Sequence, residues 1–141
     1  MGCFSFDFFK VITAGEGGAV ITDDSDVYET AHMFGDHGHD HRGGNRGAER
    51  HPILGFNFRI SELHAAVGLA QFRKLDFILA RQREVQAELR ETLSAFPQIT
   101  FRDVPDPAGD SATTLGFLLP DARTAVREHE EMGKAGVGTA Y

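Results

Sequence analysis

The protein has 141 residues, of which 41% are hydrophobic and 25% are charged, a composition typical of a globular protein rather than a disordered one. Lys and Arg number 14 against 21 Asp and Glu, and the resulting net charge of −7 argues against a nucleic-acid-binding protein, because phosphate binding requires a basic surface. A single cysteine, Cys3, excludes an intramolecular disulfide and a multi-cysteine zinc site, so we expect a reducing, cytoplasmic setting. No apolar stretch approaches the roughly 20 residues that a membrane span needs.

The N-terminal segment predicts two strands joined by a glycine-rich turn. Residues 3–6 alternate aromatic and small side chains, which is typical of a short buried strand, and the β-branched residues 19–22 predict the second strand. The glycines of residues 15–18 predict the turn between them. Lys10 lies in an apolar run, so we expect it to be at least partly buried, which favours the neutral, nucleophilic amine. The alternative is an edge-strand lysine whose amine reaches solvent.

A helix and a long loop follow. Asp23, Asp24 and Ser25 offer N-cap oxygens for a helix that runs through Phe34. The loop over residues 35–52 is rich in Gly, His and Arg, and a loop of this length in a compact domain is usually functional or part of an interface. Alternate histidines could lie on one side of an extended segment and bind a metal ion together with two neighbouring carboxylates; these residues are His37, His39, His41, Asp36 and Asp40. The expectation is a solvated or interface loop, and metal binding is the alternative.

A second motif, Gly55-Phe56-Asn57-Phe58-Arg59, ends this loop. Asn57 and Arg59 are two residues apart, so in an extended chain they project to the same side and suit an anionic group. The alternative is a turn role for Asn57 and a surface ion pair for Arg59. Ser61 then caps one long or gently broken helix over residues 62–95.

The C-terminal part predicts strands over residues 99–101 and 113–119, followed by a helix that Asp121 caps and that runs to about Lys134. The predicted order is therefore β–β–α–loop–long α–β–β–α. This order indicates an α/β protein whose character changes near residue 95.

These segments, in this order, resemble the DegT/StrS sugar aminotransferases, which are pyridoxal-phosphate enzymes of the aspartate-aminotransferase fold (fold type I). The resemblance covers essentially the whole chain. It implies that residues 1–76 are the later part of a cofactor-binding large domain, 77–95 a connecting helix and 96–141 the beginning of a small α+β domain. The matching segments are Ser5-Phe6-Asp7-Phe8-Phe9-Lys10, residues 12–22, His37-Gly38, residues 55–63, Ala65-Ala66-Val67-Gly68, residues 71–76 and Gly136-Val137-Gly138-Thr139.

The resemblance also implies roles for individual residues. Lys10 would bind the aldehyde of pyridoxal 5'-phosphate covalently and move the proton during catalysis, and Ser5 would hydrogen-bond the cofactor phosphate. Asn57 and Arg59 would reach the cofactor phosphate of a neighbouring subunit, in a homodimer with a shared active site. Family members with dehydratase activity carry His in place of this lysine, so Lys10 favours transamination with glutamate as amino donor to a keto sugar.

Two segments suggest the substrate. Phe4-Ser5-Phe6-Asp7-Phe8-Phe9-Lys10 and Gly35-Asp36-His37-Gly38-His39-Asp40-His41 resemble members that form 8-amino-3,8-dideoxy-octulosonate, a sugar acid of lipopolysaccharide. A 4-keto nucleotide sugar is the alternative substrate.

The segments that the family places before the lysine strand are missing from this sequence. They include the start of the phosphate-binding helix, the aromatic residue that stacks on the pyridine ring and the Asp that pairs with the pyridine nitrogen. We therefore expect a fragment that does not transaminate by itself and that exposes its N-terminal phenylalanines. There are two alternatives. One is an active enzyme whose missing half is supplied from elsewhere, and the other is a small metal-binding module built on the loop over residues 35–52, here called the histidine loop.

Overall fold

The computed structural model describes residues 1–43 and 45–140, and the chain forms two compact units, Met1–Leu75 and Asp76–Tyr141. The first unit contains the strands β1 (Gly2–Ser5) and β2 (Gly18–Ile21) and the helices α1 (Ser25–Gly35) and α2 (Glu62–Phe72). The second contains the helix α3, which begins at the unit boundary (Leu75–Leu93), the strands β3 (Thr100–Phe101) and β4 (Phe117–Leu118), and the helix α4 (Ala122–Lys134). The α/β class predicted from the sequence is confirmed.

β1 and β2 form an antiparallel pair in which Gly2 lies opposite Ile21 and Ser5 opposite Gly18. The connection folds back on itself, because the Ala14 N–H donates to the Phe6 carbonyl at 2.8 Å. The prediction of a buried first strand is wrong. Phe4 is 55% exposed, because no described segment covers its face of the two-stranded sheet.

The helices of the first unit begin where the capping residues predict. The Asp24 carboxylate accepts from the N–H groups of Asp26 and Val27 at 2.9 and 3.1 Å, and the Ser61 hydroxyl accepts from the His64 N–H at 3.2 Å. Each cap satisfies backbone donors that the first turn of a helix leaves free. The long loop between these helices contains the 3₁₀ turn Arg46–Ala48.

The helix predicted over residues 62–95 is broken after Phe72 and resumes at Leu75. At the break the Lys74 N–H donates to the Gln71 carbonyl at 2.9 Å, three residues back rather than four. This tighter turn interrupts the α-helical pattern without a Pro or Gly.

In the second unit, the strand predicted over residues 113–119 is reduced to β4, which pairs with β3 through Thr100 opposite Leu118. The preceding backbone bonds to side chains of α3 instead of to a strand. Arg83 donates to the carbonyls of Asp110 and Ala108 at 2.9 and 2.8 Å, and Gln86 donates to that of Thr114 at 2.9 Å.

Both units bury little apolar surface. Among the described residues, Ala14 and Ala112 are the hydrophobic residues that are buried, at 3% and 8% exposure. The accessible surface is 10799 Å², whereas two separate folded units that share the mass of 15.5 kDa would expose about 8,700 Å² together. Many aromatic and aliphatic side chains are exposed, among them Phe8, Phe9 and Leu54, and such surface is available for further protein contacts. No helix in the described part of the chain is long and apolar enough to span a membrane.

Candidate active site

A tight turn over residues 5–10, here called the lysine turn, follows β1. The Ser5 Oγ accepts from the Asp7 N–H at 3.3 Å, and the Asp7 Oδ1 accepts from the Phe9 N–H at 2.8 Å. The Lys10 N–H donates to the Asp7 carbonyl at 3.0 Å. These short-range bonds fix the backbone that carries both Ser5 and Lys10.

Lys10 is exposed, so the prediction that it is partly buried is wrong, and it lies in a turn rather than on the edge strand of the alternative. The apolar neighbours on which that prediction depended are themselves exposed, Phe8 at 65% and Phe9 at 81%. Their rings contact each other at a centroid distance of 3.9 Å, and they do not bury the Lys10 side chain. Among residues 1–43 and 45–140, no carboxylate forms an ion pair with the Lys10 amine.

The glycine-rich turn lies against the start of α2. Gly15 and Gly17 have φ values of +88° and +129°, which favour glycine. A Cβ at Gly17 would approach Ile60 Cδ1 to 2.7 Å, and one at Gly15 would meet the ring of His64 at 3.6 Å. A groove of about 680 Å³ runs between this turn with β1 and β2 on one side and residues 58–61 with His64 on the other. Lys10 does not line it.

Asn57 and Arg59 belong to a group of contacting side chains, here called the Asp36 cluster, which consists of Asp36, His41, Asn57 and Arg59. The Arg59 Nε donates to the Asn57 Oδ1 at 2.9 Å, and the Arg59 Nη1 lies 3.4 Å from the Asp36 Oδ1. The two residues therefore do project to the same side. The partner of Arg59 is a buried carboxylate at the end of α1, not a surface one.

The histidine loop is folded rather than extended. His37 and His41 have φ values of 57° and 51°, so the prediction that alternate histidines share one side of an extended segment is wrong. His39 Nδ1 lies 3.0 Å from the Glu49 Oε2, and the rings of His32 and His41 stack at 3.9 Å. Within the described residues, no three His, Cys, Asp or Glu side chains converge on a point that could hold a metal ion.

Asp40 organises the backbone of the same loop. Its Oδ1 accepts from the N–H groups of Arg42 and Arg50 at 3.1 and 3.2 Å. The Arg42 N–H is the main cause of a pKa below the ordinary value for this carboxyl. Asp40 thus joins two parts of the loop by accepting from their backbone N–H groups, and it is not the metal ligand that its position between histidines suggested.

The four predicted cofactor-binding residues form two pairs within the first unit. Ser5 and Lys10 share the lysine turn, while Asn57 and Arg59 share the Asp36 cluster. In the described chain, no hydrogen bond or ion pair joins one pair to the other. Their assignment to an active site shared between two subunits, with Asn57 and Arg59 reaching the cofactor of the neighbouring subunit, stays a prediction.

Sequence reasoning gave Asp36 a different role and missed the contact between Ser61 and His64. Asp36 was considered as a metal ligand, but its carboxylate contacts Arg59. The Ser61 Oγ lies 2.8 Å from the His64 Nδ1. The spacing of three residues at a helix start could have indicated this second contact, because an N-cap side chain lies beside the N3 residue.

The family model of the DegT/DnrJ/EryC1/StrS aminotransferases matches residues 1–141. The chain belongs to this family. The resemblance read from the sequence is thereby confirmed at the level of the family.

Named relatives agree with this assignment. The chain is 38% identical over 81 residues to UDP-4-amino-4,6-dideoxy-N-acetyl-beta-L-altrosamine transaminase of Helicobacter pylori, and 34% identical over 99 residues to GDP-perosamine synthase of Escherichia coli O157:H7. These matches cover 57% and 68% of this chain. The solved structure of Helicobacter pylori PseC, an aminotransferase involved in the biosynthesis of pseudoaminic acid, superposes with a TM-score of 0.82 at 27% identity over 95% of this chain.

The chain is much shorter than these relatives. The matched stretches cover 21% and 25% of the two curated relatives, and the chain covers 36% of PseC. It therefore spans about a third of their length or less, and its fold corresponds to that part of a fold-type-I sugar aminotransferase.

Members of the DegT/DnrJ/EryC1/StrS family use pyridoxal phosphate. The described side chains fit parts of this cofactor chemically. Lys10 is exposed, and its amine forms no ion pair with a carboxylate of the described residues. An amine that bonds to an aldehyde must be accessible in this way. The hydroxyl of Ser5, the amide of Asn57 and the guanidinium of Arg59 are donors of the kinds that bind phosphate.

Proposed function

We propose that the protein is a pyridoxal-phosphate-dependent aminotransferase that moves an amino group from glutamate to a keto sugar. The observation that carries the proposal is the family match over residues 1–141, which includes a lysine on the turn after β1. The cofactor, when bound, supplies an electron sink for the carbon that loses or gains the amino group.

Lys10 is the covalent anchor and the proton carrier in this proposal. Its Nζ would hold the cofactor at the aldehyde carbon, and as a free amine it would accept and return a proton at the substrate carbon that loses or gains the amino group. The exposed position on a hydrogen-bonded turn supports both tasks, because the amine can reach a ligand while its backbone stays fixed. Ser5, on the same turn, donates its hydroxyl to the cofactor phosphate.

Asn57 and Arg59 are proposed to bind the cofactor phosphate of a second copy in a homodimer. Three exposed aromatic rings support an intersubunit position for the element over residues 35–59, since contiguous exposed apolar surface marks contact sites. The ring of Phe34 lies 5.4 and 5.8 Å from those of Phe56 and Phe58, which are 49% and 69% exposed.

The two compact units correspond, in this proposal, to parts of two domains. Residues 1–76 form the later part of the large cofactor-binding domain, 77–95 a connecting helix and 96–141 the beginning of the small domain. The division of the chain between Leu75 and Asp76 supports a boundary at the start of the connecting helix.

Two substrate classes remain for the acceptor. The names of the relatives favour a nucleotide-linked keto sugar. The segments around Lys10 and over residues 35–41 favour an eight-carbon octulosonate aldehyde. Because residues 1–141 are not expected to transaminate by themselves, the test uses the chain restored to the full length of its relatives, called the native protein here and below. This protein is offered glutamate with each of three acceptors: a UDP-linked and a GDP-linked 4-keto-6-deoxy sugar, and 8-oxo-3,8-dideoxy-octulosonate. Formation of 2-oxoglutarate and of an amino sugar with one acceptor supports the proposal and names the class. Absence of turnover with all three, with cofactor present, contradicts it.

A further inference from the structure

Asp36 stands where the end of α1 meets the segment that carries Asn57 and Arg59. Its backbone forms an isolated antiparallel bridge with Asn57. The Phe58 N–H donates to the Gly35 carbonyl and the His37 N–H to the Phe56 carbonyl, both at 2.9 Å. This pairing holds the backbone of Asn57 directly against that of Asp36.

The side chain of Asp36 is buried and lies between those of Arg59 and His41. Its Oδ1 is 3.4 Å from the Arg59 Nη1 and its Oδ2 is 3.8 Å from the His41 Nε2. A buried carboxylate is costly unless it is paired, so the position of the carboxylate and that of the Arg59 guanidinium depend on each other. Arg59 itself is 43% exposed at its side chain and would otherwise have many rotamers open to it.

Arg59, held in this way, fixes the orientation of the Asn57 side chain. The Arg59 Nε carries a hydrogen and can only donate, so the atom of Asn57 that faces it at 2.9 Å is the oxygen. The amide nitrogen of Asn57, with its two donors, is therefore turned away from Arg59. An amide fixed in this orientation presents donors to an anion without first having to rotate.

We propose that Asp36 is a positioning residue for cofactor binding: its carboxylate fixes Arg59, and Arg59 in turn orients the Asn57 amide so that its NH₂ donates to the cofactor phosphate. This inference rests on the proposed function, because the anion in question is the phosphate of pyridoxal phosphate. Asp36 acts through Arg59 and Asn57 and does not touch the cofactor.

The test measures the dissociation constant of pyridoxal phosphate by absorbance titration of the native protein. Asp36→Asn keeps the shape and removes the charge, and it is expected to raise the dissociation constant about tenfold or more. Asp40→Asn is the matched control, since Asp40 binds only loop backbone N–H groups among its described contacts, and it is expected to leave the dissociation constant unchanged.

A double-mutant cycle separates positioning from mere support of the loop. If Asp36 acts through Asn57, adding Asp36→Asn to Asn57→Ala weakens binding little further. Full additivity of the two effects would overturn the inference, and so would equal affinity of Asp36→Asn and the unaltered protein. If Asp36→Asn does not fold, Asp36→Glu, which displaces the charge by one methylene, carries the same expectation.

The outcome also distinguishes this inference from the function on which it rests. If the unaltered protein binds no pyridoxal phosphate, the proposed function and the inference both fail. If it binds the cofactor and Asp36→Asn binds it equally well, only the inference fails.

Discussion

The lysine turn and the Asp36 cluster hold their functional side chains in opposite ways. In the lysine turn the side-chain hydrogen bonds of Ser5 and Asp7, and the backbone bond from Lys10 to Asp7, join residues two or three positions apart, and the side chains are mostly exposed. In the Asp36 cluster the buried carboxylate contacts Arg59, and the backbone of Asp36 forms a bridge with that of Asn57; both partners lie more than 20 residues away in the sequence. The bonds nearest to Lys10 are therefore local, whereas the orientation of Asn57 depends on contacts between residues distant in the sequence.

The largest effect should come from a substitution in the lysine turn, and it should change the activity and not the stability. Lys10→Ala is expected to lower transamination about 10³-fold or more, because it removes the covalent anchor and the proton carrier. The midpoint of urea unfolding should not change, since the Lys10 side chain is exposed. Lys74→Ala serves as control and should keep full activity. A Lys10→Ala protein that retains turnover would contradict the assignment.

A substitution in the histidine loop, next to the Asp36 cluster, should instead lower the stability of the protein. Gly38→Ala would place a Cβ 2.1 Å from the Ile53 carbonyl oxygen, at a φ of +82°. We expect a loss of about 3 kcal/mol or more in the free energy of unfolding, measured by urea denaturation.

Gly15→Ala is the matched control for this experiment. Gly15 has nearly the same φ, +88°, but its added Cβ would meet only the His64 ring, at 3.6 Å. The expected loss is about 1 kcal/mol, from the left-handed backbone alone. Equal losses for the two variants would show that the close approach at Gly38 is not a constraint.

In the second unit, Arg83 forms a long-range contact to which no function is assigned. Arg83→Ala removes two hydrogen bonds to the carbonyls of Asp110 and Ala108, and should lower the free energy of unfolding by about 1–2 kcal/mol. Arg81→Ala, which removes only an exposed pair with Glu84 on the same helix, should leave the urea midpoint unchanged. A larger loss for Arg81→Ala would reverse this ranking.

The smallest effect is expected at a local contact, the N-cap of α4. The Thr124 N–H bonds to the Asp121 Oδ1 at 2.9 Å and is the main cause of the lowered pKa of this carboxyl. A lowered pKa means that the stabilisation is fully present above the ordinary value of 3.8 and is lost as the pH falls through the lower value in the folded state. Asp121→Asn should therefore weaken the acid dependence of the helical circular dichroism signal below that pH, whereas Asp103→Asn should not alter it.

The same contrast explains how much could be predicted from the sequence. The helix starts at Asp24, Ser61 and Asp121 were predictable, because a cap bonds to residues two or three positions away. The exposure of Lys10 and Phe4 was not, since apolar neighbours in sequence indicate burial only if another segment covers them. The partnership of Asp36 with Arg59 was missed for a related reason: the residues between them fold with positive φ at His37 and His41, which no periodic pattern indicates.

The central claim, that Lys10 carries the cofactor, is tested most directly by reductive trapping. The native protein is incubated with pyridoxal phosphate and reduced with borohydride, and its peptides are then mapped by mass spectrometry. The three lysines of residues 1–141, Lys10, Lys74 and Lys134, fall in different parts of the sequence and are easily distinguished. The account predicts a pyridoxyl group on Lys10 alone. A label on Lys74 or Lys134, or no label on any peptide, would contradict it.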